Sequence, residues 1–250
     1  MVPLAGSHAL ITGGSRGIGL AIAHRLAREG AACTLVGRDE QRLQAALAGA
    51  PSPAHAHSYL VGDVRHADFW AEAVAQRPNI SILVNAAGLA QNSLLVRTRD
   101  EDLQEILDVN LRGTILGCRS FGKSMMKRKA GMLLLAVRAH SRSIINISSL
   151  LAEKGGQGAT VYAASKAGII GLTRALATEM GPFGVRVNTI LPGYIKTDMT
   201  ENLKQSLLQE KIPLGRLGEP EEVADAAAFL AKNSYASNCI LNLDGGLSAT

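Results

Sequence analysis

The sequence predicts one doubly wound parallel α/β sheet with helices on both faces. Three observations carry that expectation. Short apolar segments alternate with helix-length amphipathic segments along the whole chain. The first apolar segment runs straight into a glycine-rich turn, Thr12-Gly-Gly-Ser-Arg-Gly-Ile-Gly19, which opens a helix. The chain also holds 26 glycines against 8 prolines, a balance suited to many tight strand-to-helix turns. Its 250 residues are enough for one substantial core, and no composition shift marks a boundary, so residues 1–250 read as one domain.

Ser7–Thr12 is the first strand. A helix follows from Ile18 to Glu29, with Ile22, Leu26 and alanines on one face and Gly30 as its stop. The glycines between them let the backbone approach a pyrophosphate, whose charge a helix N-terminus favours. An ordinary tight turn would use the same residues, so the turn acquires weight only from its strand and helix. Ala32–Val36 is the second strand, and it ends at Gly37-Arg38-Asp39. A carboxylate there would bind the ribose 2′-hydroxyl of NAD, whereas an arginine accommodates a 2′-phosphate. Arg38, with Arg16 in the turn, favours NADPH; Asp39, one position on, reads either as a cofactor contact or as a surface ion pair.

Tyr59–Val61 suits a third strand leading to Asp63-Val64, where the aspartate could meet an adenine amino group. His55 and His57 precede it in a Pro/Ala-rich stretch that reads as a solvent-exposed loop. Ile80–Val84 is the fourth strand and runs into Asn85-Ala-Ala-Gly88, small residues that allow a ligand close approach. Asp100 to Lys129 is helical in pattern, yet has Asn110 in its interior, a mediocre helix former that suggests a bent or water-bridged position as readily as a solvent-facing accident. Ser143–Ile147 is the fifth strand and delivers Ser148-Ser149. A helix continuing to Met180 comes next, then Val185–Leu191 as the sixth strand before Pro192-Gly193. Glu219–Ala231 is helical, and Asn238–Leu243 is a last strand before Asp244-Gly-Gly246.

Within the helix that follows Ser149, Tyr162 and Lys166 stand four residues apart and so share one face. A free tyrosine has a pKa near ~10, too high for efficient proton exchange at neutral pH. A neighbouring ammonium favours the phenolate and should draw that value down, making the pair an acid/base device for a developing alkoxide. Alone the spacing is more often a polar helix surface; its context changes that reading.

Composition narrows the alternatives. Apolar residues at 47% and charged residues at 19% describe a folding chain. Aromatics at 4% argue against base-stacking platforms for nucleic acid. The net charge of +5 is scattered except at Lys127-Arg128-Lys129, which reads as a solvated helix end or as a docking patch for an acidic partner. Cys33, Cys118 and Cys239 show neither disulfide nor metal-ligand spacing, which points to a reducing compartment and no metal. No apolar run approaches a membrane span, and the first strand leaves no room for a secretory signal or long transit peptide. The expectation is a soluble intracellular protein of the cytoplasm or mitochondrial matrix, an uncleaved import signal staying open.

Thr12-Gly-Gly-Ser-Arg-Gly-Ile-Gly19, Asp63, Asn85-Ala-Ala-Gly88, Asn110, Ser149, Tyr162, Lys166 and Pro192-Gly193 together resemble the short-chain dehydrogenase/reductase family over nearly the whole chain. The resemblance implies a Rossmann-type sheet of about seven strands, a homo- or hetero-tetramer, and NADPH-dependent reduction of a carbonyl. It gives Ser149 the substrate oxygen to hydrogen-bond, Tyr162 the proton to donate, Lys166 the nicotinamide ribose and the Tyr162 pKa, and Asn110 a water of the proton relay. Ser149 is preferred to Ser148 because it lies thirteen positions before Tyr162, the family's spacing. NADP is implied to lie against Gly13, Ser15, Arg16, Gly17, Ile18 and Gly19, then Arg38, Asp39, Asp63 and Val64. Asn85, Ala86, Ala87, Gly88, Tyr162, Lys166, Pro192, Gly193, Ile195 and Thr197 would complete the contact.

Within the family, Leu95-Val-Arg97-Thr98, Gly193-Tyr-Ile-Lys-Thr-Asp-Met199 and Pro213-Leu-Gly-Arg216 are similar to the 3-oxoacyl-[acyl-carrier-protein] reductases and type 4 carbonyl reductases of fatty-acid synthesis. That likeness implies a small-molecule or carrier-protein-linked acyl substrate, with Lys127-Arg128-Lys129 helping to dock an acidic carrier. Phe183 stands where bacterial relatives often carry a basic docking residue, so a quinone or other free carbonyl remains an alternative substrate. A non-catalytic subunit is a further alternative, though such proteins commonly lose the tyrosine or lysine retained here. The 39 positions from Asn110 to Ser149 exceed the spacing in the acyl-carrier-protein reductases. The excess maps to Met132–Arg142, either an insertion at the pole opposite the active site or a misread gene boundary.

Overall fold

A computed structural model of the chain describes residues 3–51, 57–130, 142–201, 203 and 205–250. Seven strands, β1 (His8–Thr12), β2 (Ala32–Gly37), β3 (Ser58–Val61), β4 (Ile82–Asn85), β5 (Arg142–Ile147), β6 (Val185–Pro192) and β7 (Ile240–Leu243), form one sheet. Every neighbouring pair is parallel, in the order β3-β2-β1-β4-β5-β6-β7. The order reverses between β1 and β4, and in such sheets ligands bind outside the carboxyl ends of the strands at that switch point.

Helices cover both faces, as the alternation of the sequence predicts. On one side α1 (Gly17–Arg28) packs Ile22 and Leu26 against Val223, Ala227 and Leu230 of α9 (Pro220–Lys232), with Leu43 of α2 (Glu40–Ala48) beside them. On the other side Trp70 of α3 (Ala67–Gln76) meets Phe121 of α5 (Gly113–Ala130) edge-on, over Leu83 and Ile144 of the sheet. The five inner strands, β1, β2, β4, β5 and β6, are buried on both faces, which is why they read as continuous apolar runs rather than as alternating ones. The apolar pattern did not single out α2 or α3. Each is short and buries few side chains, Leu43 and Ala46 in one, Trp70 and Ala73 in the other.

Several boundaries move for local reasons. β7 begins at Ile240 because Asn238 sits in the left-handed region at φ 61, which no strand residue adopts. β4 begins two residues after Ile80 and extends to Asn85. The long helix is interrupted: α4 (Asp100–Leu107) passes through a π-turn at Asp108–Arg112 before α5, and Asn110 lies in that turn. His57 is not on a solvent-exposed loop. It is half-buried, its Nδ1 accepting from the Cys33 N–H (3.2 Å) and its Nε2 donating to Pro51 O (3.1 Å), so it caps the edge of the sheet. His55 lies outside the described residues.

The proposed insertion also lies outside them, except Arg142. That residue opens β5 opposite Val185, and its guanidinium donates to the carbonyls of Met125 (2.6 Å) and Phe183 (3.1 Å). The described flanks, Ala130 and Arg142, stand at the amino end of β5, the pole away from the ligand-binding edge.

Candidate active site

A cleft of about 550 Å³ opens at the carboxyl ends of β1, β2 and β4. Its floor is the glycine turn between β1 and α1. Gly13 is at φ +64, and a Cβ there would lie 3.0 Å from Ala86 O; a Cβ on Gly19 would lie 2.3 Å from Gly13 O. Only a bare backbone fits, and what it leaves open is a channel of main chain ending at a helix N-terminus. Thr12 closes the far side by accepting from Ala86 N (3.0 Å) and Ala87 N (3.1 Å) through its hydroxyl, tying the two turns into one cradle. Ser15, Gly17, Ile18, Gly88 and Thr197 line the same cleft. A dinucleotide suits this arrangement, with its pyrophosphate at the first turn of α1.

At the adenosine end the three charged positions divide. Asp39 is the N-cap of α2: its carboxylate accepts from Arg42 N (3.1 Å) and faces the Arg42 guanidinium, and it does not line the cleft. Arg38 does line it, with its guanidinium largely exposed and its nearest carboxylate, Glu105, 3.9 Å away. Arg16 pairs with Asp198 at 2.8 Å across the mouth. Asp63 is held by Arg65, which donates from its main chain (2.9 Å) and its guanidinium (2.7 Å). Burial would raise the Asp63 pKa, and the hydrogen bonds from Arg65 overcome it, leaving the carboxyl below its ordinary range. Val64 is buried beside it against Gly113.

The catalytic candidates converge where β4, β5 and α7 (Thr160–Met180) meet. The Lys166 Nζ lies 5.7 Å from the centre of the Tyr162 ring and donates to Ile147 O (2.9 Å) at the end of β5. Burial lowers its pKa to about 8. The expected lowering of the Tyr162 pKa by Lys166 is not what its surroundings produce. Burial raises the phenol, and a hydrogen bond from the Ser149 side chain opposes the rise. A neutral phenol is nonetheless the form a proton donor needs. Ser148 and Ser149 separate cleanly: the Ser148 hydroxyl donates to Lys166 O (2.7 Å), a structural task, while Ser149 reaches Tyr162.

Asn110 is fully buried in the π-turn, an irregularity common at functional sites. Its Oδ1 accepts from Leu89 N (2.8 Å) and its Nδ2 donates to Leu89 O (3.0 Å) and Ser165 Oγ (3.1 Å). The side chain thus clamps the chain after β4. A Cβ on Gly88 would touch both Asn110 Oδ1 and Lys166 Nζ at 3.4 Å, so a glycine there keeps this corner open.

Besides Asp39, Tyr162 and Lys166, four more of the predicted cofactor positions do not line the cleft, for separate reasons. Asn85 turns inward and donates to Asn146 Oδ1 (2.9 Å). Pro192 ends β6, and Gly193 follows in a close approach, where a Cβ would meet Asp244 at 2.7 Å. Ile195 is buried and bridges Gly218. Two residues with no signal in the sequence enter instead. Arg65 orients Asp63, and the amide of Gln91 reaches the first turn of α7 across 70 positions. Of the basic triplet, Lys127 is exposed near the end of α5; the side chains of Arg128 and Lys129 lie outside the described residues. Lys127 and Phe183 border a separate apolar depression of about 580 Å³ that holds no catalytic side chain. Cys33 and Cys118 are buried, their thiols raised to about 12 by burial. Among the described residues no cluster could hold a metal ion and no helix is long and apolar enough to cross a membrane.

The chain is similar over nearly its whole length to proteins of known class. Residues 13–248 match the family model described as enoyl-(acyl carrier protein) reductase. The chain is 40% identical over 244 residues to a 3-oxoacyl-[acyl-carrier-protein] reductase of Bos taurus, covering 96% of this chain and 97% of the relative. It is equally 40% identical over 241 residues to carbonyl reductase family member 4 of Xenopus laevis, covering 95% and 96%. A solved 3-ketoacyl-(acyl-carrier-protein) reductase from Brucella melitensis, complexed with NADH, superposes with a TM-score of 0.88 at 27% identity, over 98% of this chain and 99% of that one.

Proposed function

The chain belongs to the short-chain dehydrogenase/reductase family, an oxidoreductase of C=O and CH–OH groups with a nicotinamide cofactor, and on that premise we propose that it reduces a carrier-protein-linked 3-oxoacyl thioester with NADPH in fatty-acid synthesis. The observation that carries the proposal is the convergence of Ser149, Tyr162 and Lys166 beside the open corner at Gly88. When bound, the nicotinamide supplies the hydride. The Ser149 hydroxyl holds the substrate oxygen as charge gathers on it. Tyr162, neutral in its buried setting, gives that oxygen its phenolic proton. Lys166, anchored on Ile147 O, keeps further N–H donors for the ribose and offsets the phenolate left behind. Asn110 holds Leu89, and so the wall of the cleft, in register with Lys166.

NADPH is favoured because Asp39 is engaged as a helix cap while Arg38 stays open to a 2′-phosphate. The thioester is favoured over a quinone by likeness to the bovine relative, and exposed Lys127 suits an acidic carrier. The family's assembly, a homo- or hetero-tetramer, belongs to the same proposal, as does a place in the cytoplasm or mitochondrial matrix. The test is steady-state turnover of an acetoacetyl thioester and of a quinone, each with NADPH and NADH. The thioester with NADPH is expected to lead in kcat/KM. A quinone turned over more efficiently overturns the substrate, and equal efficiency with both cofactors overturns the NADPH preference.

A further inference from the structure

The geometry points to Gln91 as a positioning residue for Tyr162, one that caps the tyrosine's helix from the loop lining the cofactor cleft. It rests on the reading of Tyr162 as proton donor. The residue before α7, Ala159, makes no side-chain cap, so the helix lacks the local acceptor that usually meets the N–H groups of its second and third residues. Those residues are Val161 and Tyr162. Gln91 Oε1 accepts from both, at 2.7 and 3.1 Å. Its Nε2 donates to Ser93 O (3.2 Å) and Thr98 Oγ1 (3.0 Å), which fixes the amide with its oxygen toward the helix. The side chain is 7% exposed and all four of its hydrogen-bonding directions are engaged.

The loop that carries Gln91 is the continuation of Asn85–Gly88. Leu89, Ala90 and Asn92, on either side of Gln91, line the cleft, and Ser93 N donates to Gly158 O (3.2 Å) just before α7. One short piece of chain therefore presents its outer edge to the cofactor and its inner edge to the main chain of Tyr162. Gln91 sets where the phenol stands relative to the cleft wall, and does so without touching substrate.

Gln91→Leu keeps the volume and removes the one oxygen that accepts from both N–H groups. Its kcat for the acetoacetyl thioester is expected to fall about tenfold or more, with KM and NADPH affinity within about twofold. Gln91→Glu, which keeps an acceptor for the two N–H groups but loses the donors to Ser93 O and Thr98 Oγ1, should recover only part of that loss. In a Tyr162→Phe background Gln91→Leu should cost less than about twofold, because its effect runs through the missing proton. Equal fold losses in both backgrounds, or an unchanged kcat in Gln91→Leu, overturn the proposal. A readout free of substrate separates it from the functional reading. With four tyrosines in the chain, the Tyr162 ring signal of 13C-tyrosine-labelled protein is assignable by its absence in Tyr162→Phe. That signal should shift in Gln91→Leu while the other three hold; a Tyr162 signal that stays put overturns the positioning role even if no thioester is reduced. Should Gln91→Leu fail to fold, Thr98→Val removes one anchor of the amide and must move the same signal.

Discussion

Among the described residues two cations are buried, and they differ in how many oxygens meet them. Arg186, on β6, donates to Leu230 O (2.6 Å), Ala231 O (2.8 Å) and Ala236 O (2.9 Å). The first two are carbonyls of the last turn of α9, which have no partner within their own helix. Lys166, equally buried, meets one protein acceptor among the described residues, Ile147 O. Burial depresses both, Arg186 to about 10 and Lys166 to about 8. The guanidinium is satisfied and so serves the fold. The ammonium has one of its three N–H groups engaged among the described residues, and the N–H groups it keeps lie beside Gly88 and the Tyr162 ring, where a ligand can use them. A buried charge left partly unpaired is costly to the fold and useful to chemistry.

The comparison breaks first at Tyr162, the group Lys166 serves. Tyr162→Phe should lower kcat by about 10²–10⁴-fold while NADPH affinity, read by fluorescence titration, changes little. Turnover within a few-fold of wild type would remove Tyr162 as the acid. Arg186→Met should do the reverse, costing about 3 kcal/mol or more in denaturant unfolding, because several buried carbonyls lose a charged donor. Its turnover per folded molecule should match wild type; a specific loss of rate would put Arg186 in the site. Next comes Arg38→Asp, which sets a carboxylate against the 2′-phosphate and should shift the NADPH/NADH ratio of kcat/KM by about tenfold or more. An unchanged ratio would leave selectivity to other residues.

Lys166 also carries a pH signature. Its pKa is about 8 folded and 10.5 ordinarily, so between these values the unfolded chain binds more protons. Stability from this group therefore rises with pH across that window and is lowest below pH 8, by about 3 kcal/mol at most. Tyr162, raised by burial, acts in the opposite sense above its ordinary value, where the unfolded chain loses its proton first. Lys166→Met should accordingly be more stable than wild type near pH 7, with the gap closing toward pH 10. A gap that does not vary with pH would mean Lys166 is not depressed. The smallest effect belongs to Asp39→Ala, expected to cost about 1 kcal/mol through the lost cap of α2 and to leave NADPH affinity unchanged. A loss of affinity would return Asp39 to the cofactor.

Much of this was legible before any coordinate. Strand, glycine turn and helix are adjacent in the chain, and Tyr162 and Lys166 share one helix, so local spacing alone placed them. The parallel sheet followed from the alternation of strand-length and helix-length segments along the chain. What the chain could not display were contacts between distant segments. Arg38 was favoured over Asp39 as the adenosine-side residue, but that α2 takes Asp39 as its cap is visible only in the folded chain. Ser148 and Ser149 were separated by spacing, but the reason, the Ser148 bond to Lys166 O, exists only once β5 lies against α7. The direction of the Tyr162 pKa was misjudged because four-residue spacing reveals a nearby ammonium and says nothing of burial, which dominates here. Gln91 had no sequence signal at all. An amide becomes a helix cap only when the fold carries it to a helix that has none, and 70 residues of intervening chain hide that need.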